Sequence, residues 1–97
     1  MKRKCIKINN RRFYVDGYDE HTNNVYEFLG DYWHGNPEVY HSDDYNQRSK
    51  KKFGKLYEDT MIRLDLIRSA GYHVEYIWEN DWLNENNLQT RRSTRRS

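Results

Sequence analysis

"FYVDGYDEHTNNVYEFLG", residues 13–30, sets two runs of aromatic and β-branched residues on either side of a cluster of turn-forming side chains. Such a pattern predicts two strands joined by a tight turn over "DEHTNN". A turn centred between His21 and Thr22 places Tyr18 opposite Val25 and Asp16 opposite Glu27. Directly opposed residues on one face of a hairpin have Cβ atoms roughly 5 Å apart. Two carboxylates at that spacing repel, and one is driven towards protonation. A divalent cation relieves the repulsion, because Mg²⁺ takes hard oxygen ligands. A register shifted by one residue instead turns one of the two side chains to solvent.

Outward from this hairpin the chain keeps a readable rhythm. "CIKINN" and "RRFYVDGY" read as short strands meeting at an Asn9-Asn10 turn. Residues 30–52 are rich in Gly, Asp, Asn, Ser and Lys, contain the single proline, Pro37, and read as a long loop. From Phe53 the period changes. Phe53, Leu56, Tyr57, Thr60, Met61, Leu64 and Ile67 share one helical face, while Lys55, Glu58, Asp59, Arg63 and Asp65 fall mostly elsewhere. Gly71 is placed to stop the helix. "YHVEYIW" then alternates as a half-buried strand, and "ENDWLNENNL" adds a short final helix. The expected order is β-β-β-α-β, an α/β (α+β) class with a helix packed on a mixed sheet.

A chain of 97 residues is one small domain, expected over residues 1–90 and followed by a basic, flexible tail over 91–97. Nine tyrosines and three tryptophans argue against a disordered chain. No apolar run is long enough for a membrane span, and no apolar block follows the basic start as in a signal peptide. These features predict a soluble, intracellular protein. The single cysteine, Cys5, cannot form an internal disulfide or a Cys-rich zinc site.

Net charge is only +2, yet most of the basic residues fall in four clusters. These are Lys2 to Lys4, Arg11-Arg12, Arg48 with Lys50, Lys51 and Lys52, and the terminal Arg91, Arg92, Arg95 and Arg96. They are either solvated loops and ends or contacts to a phosphate backbone. Charge alone does not choose between the two.

His34 follows Trp33 just past the strand that carries Glu27. A histidine beside a tryptophan often serves packing or capping. At a strand end next to a carboxylate pair, a neutral imidazole can also take a proton from a water attacking phosphorus. His21, in the turn, His41, in the long loop, and His73, at a strand start, carry weaker signals.

"VDGY", "YEFLGDYWHGNP", "FGKLYEDT" and "GYHVEYIWENDW" together resemble the very-short-patch-repair-like nucleases of the PD-(D/E)XK restriction-endonuclease-like superfamily. Similar short proteins and domains occur in large DNA viruses and phages, including homing-type endonucleases. The resemblance spans roughly Arg11 to Leu83. It implies a restriction-endonuclease-like core and a metal-dependent DNA endonuclease, with Mg²⁺ as cofactor and Mn²⁺ as a substitute. It makes Asp16 a metal ligand and gives the second ligand to Glu27 or to the backbone carbonyl just after it. His34 matches the histidine of the "WH" motif. Leu29 stands where the superfamily carries a lysine and where some relatives carry a second histidine. No structural zinc is expected. Glu79, at the end of "YIWE", matches a recurrent acidic position and either enters the site or caps the last helix. Relatives also carry an N-terminal helix for which this chain has little room, so a homodimer or second chain is a candidate source of it.

The mechanism so implied is phosphodiester hydrolysis, with Asp16 and Glu27 on the metal and His34 activating or orienting water. Lys50, Lys51, Lys52, Arg91 and Arg92 hold the DNA strand. Tyr32 and Trp33 either wedge against bases or pack beneath the long loop. One site per chain favours a nick, and a double-strand cut needs a dimer. The principal rival is a binding module of the same fold whose catalysis has lapsed. A small viral interaction protein and a detached domain of a larger enzyme are further alternatives.

Overall fold

Asn9 and Asn10 both adopt positive φ, 51° and 67°, which is the backbone a two-residue type I′ hairpin requires and which asparagine tolerates. They join β1 (Lys4–Ile8) to β2 (Arg11–Val15) in an antiparallel pair with Ile8 opposite Arg11. The structure, a computed structural model, describes residues 4–85. The expected basic tail over 91–97 lies outside them.

The single strand expected over "RRFYVDGY" is in fact two. The chain bends at Asp16, and β3 (Gly17–Asp19) leaves the first hairpin to pair antiparallel with β4 (Asn24–Leu29). The register is the one that puts Tyr18 opposite Val25. Beyond the last ladder pair, Gly17 with Tyr26, the Asp16 carboxylate accepts the Phe28 N–H at 2.8 Å. A side chain thus replaces the strand partner that the bend removes.

Residues 30–52 are more ordered than a long loop. They contain a one-turn helix, α1 (Asp31–His34), and a two-residue ladder between β5 (Tyr45–Asn46) and β6 (Lys51–Lys52). Two buried asparagines organise the rest. Asn36 donates to the Asp31 carboxylate at 2.9 Å and accepts the Glu38 N–H. Asn46 donates to the Tyr32 carbonyl at 2.8 Å and accepts the N–H groups of Arg48 and Ser49. Each satisfies backbone groups that a buried loop would otherwise leave unpaired.

The long helix α2 (Phe53–Ser69) then carries the chain back to β7 (His73–Trp78), which pairs parallel with β4. A parallel pair needs such a crossover. Ala70 caps α2, and Gly71 follows at φ 102°, the left-handed position anticipated at the helix end. Asn23 closes the corner by donating to the Gly71 carbonyl and accepting the His73 N–H. A last helix, α3, occupies 79–85.

The result is an α+β fold with a mixed sheet in the order β3-β4-β7. Val25, Glu27 and Leu29 alternate inward from β4, and Ile6, Ile8, Val15, Val25 and Ile67 form the core. Phe13, Tyr18, Tyr72 and Val74 pack around it. Among the described residues no helix is long and apolar enough to cross a membrane.

Gly35 ends α1 at φ 66°, and a Cβ there would lie 2.2 Å from the Phe53 carbonyl oxygen. Gly71 also has positive φ, but open space surrounds it. Gly71→Ala is therefore expected to cost about 1–2 kcal/mol, from left-handed backbone alone. Gly35→Ala adds a clash with helix backbone that no rotamer relieves, so its loss of stability should be several times larger. Urea unfolding of the two variants checks this, and equal midpoints would contradict it.

Candidate active site

Glu27 points inward from β4 between Val25 and Leu29 and is only 7% exposed. Asp16 lies at the bend between β2 and β3, held towards β4 by its bond to the Phe28 N–H. Asp16 and Glu27 line a common cavity of about 90 Å³ with His34, Thr60 and Arg63. That volume holds more than one water, since a single water needs roughly 10–15 Å³. The hairpin register therefore brings together the two carboxylates expected to meet.

Burial raises the Glu27 carboxyl to about 7. The Arg63 charge pulls it down, while Asp16 pushes it up through its charge and a side-chain hydrogen bond. Because the folded value lies above the ordinary 4.5, protonated Glu27 contributes stability that is complete below about 4.5 and lost as pH rises through about 7. Glu27→Gln is expected to flatten that slope and to raise stability at pH 8 by up to about 3 kcal/mol. Urea unfolding at pH 5 and pH 8 measures it. An unchanged slope in the variant would assign the titration to another group.

His34 is the last residue of α1, fixed there by the Gly35 turn. Its Nδ1 lies 2.9 Å from Thr60 Oγ1. The Thr60 hydroxyl donates its one proton to the Leu56 carbonyl at 2.9 Å. The hydroxyl oxygen must then accept from His34, which puts the imidazole proton on Nδ1 and leaves Nε2 as the lone-pair nitrogen. Burial lowers the His34 pKa below 6.5, and Arg63 lowers it further against the opposing charge of Asp16. The ring is thus neutral near pH 7, with a defined basic nitrogen.

Arg63 and Thr60 are the members of this group that the sequence pattern did not mark for function. Arg63 Nη2 pairs with Glu27 Oε1 at 2.8 Å and also donates to the Tyr14 carbonyl. Its guanidinium lies 5.6 Å from the centre of the Phe13 ring. Helical spacing offered a signal, since Arg63 and Leu64 stand three and four residues after Thr60, and Ile67 stands four after Arg63 and three after Leu64.

The remaining candidates lie elsewhere. Glu79 accepts the Asp31 N–H at 3.1 Å, and the Asp31 carboxylate accepts the Asn80 N–H at 3.3 Å. Glu79 thus caps α1, the helix carrying His34, and Asp31 caps α3. Tyr32 packs edge-on against Trp33 and Tyr40 of the 30–52 segment and against Phe53, the first residue of α2. Trp33 is 55% exposed. Lys50, Lys51 and Lys52 are exposed at the approach to α2, with Lys51 Nζ 3.7 Å from Asp59. Arg91 and Arg92 lie outside the described residues.

Among the described residues no group of three or more His, Cys, Asp or Glu side chains is placed to hold a metal ion. The donor set at the cavity is two carboxylates. Mg²⁺ is usually held by one or two protein carboxylates together with water and substrate phosphates, and Mn²⁺ accepts the same ligands. Asp16 and Glu27 fit that requirement; burial is the main cause of the raised Glu27 carboxyl, and the Asp16 charge adds to it against the pull of Arg63. Comparison with known proteins finds no matching family model, no matching curated protein and no matching solved structure.

Proposed function

We propose that the protein is a Mg²⁺-dependent deoxyribonuclease of the very-short-patch-repair-like kind, hydrolysing a DNA phosphodiester inside a host cell. The observation that carries this reading is the convergence of Asp16, Glu27 and His34, from three separate segments, on one cavity. When bound, a Mg²⁺ ion polarises the phosphate and stabilises its developing charge. Asp16 and Glu27 are the residues that would hold it. His34 takes the proton of the attacking water at Nε2, while Thr60 keeps the ring in the required tautomer. Trp33 and the Lys50–Lys52 segment lie exposed to a nucleic-acid strand. One site per chain makes a nick, and a homodimer makes a double cut.

Nicking of supercoiled plasmid by purified protein tests the reading. Relaxation is expected in Mg²⁺ or Mn²⁺, with none in EDTA, and Mg²⁺ should raise the wild-type melting temperature at pH 8. Absence of both effects would overturn it. The second reading, a DNA-binding module with lapsed catalysis, is favoured by one contact: Arg63 already neutralises Glu27. DNA binding without any divalent-dependent nick would select it.

A further inference from the structure

A second concavity meets the catalytic cavity at Arg63. It is an open groove of about 520 Å³ between β2 and α2, with Arg11 and Arg12 on one wall and Arg63 on the other. Phe13, on the β2 wall, has two guanidinium groups over its ring, Arg11 at 5.3 Å and Arg63 at 5.6 Å from the ring centre. Stacked guanidinium groups keep their edge donors directed outward, the geometry in which arginine grips phosphate. One carboxylate, Asp59, also lines the groove, but it is engaged by Lys55 at 3.1 Å and Lys51 at 3.7 Å. The groove's charge is therefore set by its arginines, Arg11 and Arg12 above all, since Arg63 is paired with Glu27.

We propose that this groove is the track for the phosphate backbone of a nucleic-acid strand, with Arg11 and Arg12 contacting successive phosphates that lead to the Asp16–Glu27 pair. The inference deepens the nuclease reading and rests on it for the direction of the strand. Arg63 joins the two regions, touching Glu27 at 2.8 Å while forming part of the groove wall. A backbone lying there passes directly beside the carboxylates. Of the Lys50–Lys52 segment, Lys51 reaches the groove's margin at Asp59, and none of the three lines the cavity of Asp16 and Glu27. Among the described residues, the basic cluster at Arg11 and Arg12 is thus the one that the fold places against the candidate site.

The test measures binding, not cleavage. A fluorescently labelled single strand and a duplex are titrated with full-length protein in EDTA across a range of salt concentrations. Arg11→Gln/Arg12→Gln is expected to weaken binding to all sequences and to lower the salt slope by about 2, close to 1 for each lost phosphate contact. Lys50→Gln/Lys51→Gln/Lys52→Gln should change the slope by less. If the double variant loses its fold, Arg12→Gln alone, away from the Phe13 stack, should still lower the slope by about 1. A wild-type slope in folded Arg11/Arg12 variants, or a larger effect from the lysine variant, would overturn the track. Wild-type binding without any divalent-dependent nick would remove the nuclease reading and leave the track standing. No wild-type binding to DNA would remove both.

Discussion

Asp16→Asn is expected to remove Mg²⁺-dependent cleavage while leaving the fold and DNA binding in place. The side-chain amide oxygen can still accept the Phe28 N–H that the Asp16 carboxylate takes at 2.8 Å, so the bend between β2 and β3 should survive. What is lost is the negative charge that, with Glu27, suits the pocket to a divalent cation. Metal stabilisation of a transferring phosphoryl group is worth several kcal/mol, so the rate should fall by about 10³ or more. The Glu27 carboxyl should also relax downward from about 7, because part of its elevation comes from Asp16. Plasmid nicking and the Mg²⁺-induced rise in melting temperature are the two measurements. Cleavage at the wild-type rate, or an undiminished Mg²⁺ effect on melting, would show that Asp16 is not a metal ligand.

His34→Ala should slow cleavage by about 10² to 10⁴, the usual worth of a positioned general base. The mutant should keep the Mg²⁺ effect on melting, since Asp16 and Glu27 remain. The pH profile separates chemistry from packing. Burial holds the His34 pKa below 6.5, so the wild-type rate should fall as pH drops through that lowered value, where Nε2 becomes protonated. The alanine variant should lack that lower limb, while a limb near pH 7, where the Glu27 carboxyl must ionise to serve as a ligand, remains in both proteins. A packing histidine would behave oppositely, with the variant less stable but cutting at a near-normal rate per folded molecule. Persistence of the lower limb in His34→Ala would assign the base to another group.

Local pattern made half of the candidate site readable. The turn residues between Asp19 and Asn24 fixed the hairpin register, and that register brings Asp16 towards Glu27. The positive-φ asparagines and the glycine after α2 were readable for the same reason, because backbone preference is a property of the residue itself. The break at Asp16 was not readable. Phe13, Tyr14, Val15 and Tyr18 suit a continuous strand, and only the reach of Asp16 to the Phe28 N–H shows why the chain turns there. Residues 30–52 misled through composition. Asparagine usually marks loops, and whether Asn36 and Asn46 are buried and bonded to distant backbone is decided by tertiary packing. Arg63 escaped for a related reason. Helical periodicity sorts residues into faces, but it does not say that a distant strand will offer a carboxylate at the margin of the apolar stripe.

The parallel pairing of β4 with β7 has a kinetic consequence. Asn24 meets His73 and Leu29 meets Trp78 only after α1, the 30–52 segment and the whole of α2 have been made and folded back. Contacts between residues so far apart in sequence form slowly, because chain closure is entropically costly before it is rewarded. Glu27 sits in the middle of that pairing, opposite Tyr76, while its arginine partner and the threonine that orients His34 arrive on the crossover helix. A chain still emerging from the ribosome therefore contains both carboxylates long before it contains the cavity, and the candidate site comes into being only with completion of the fold.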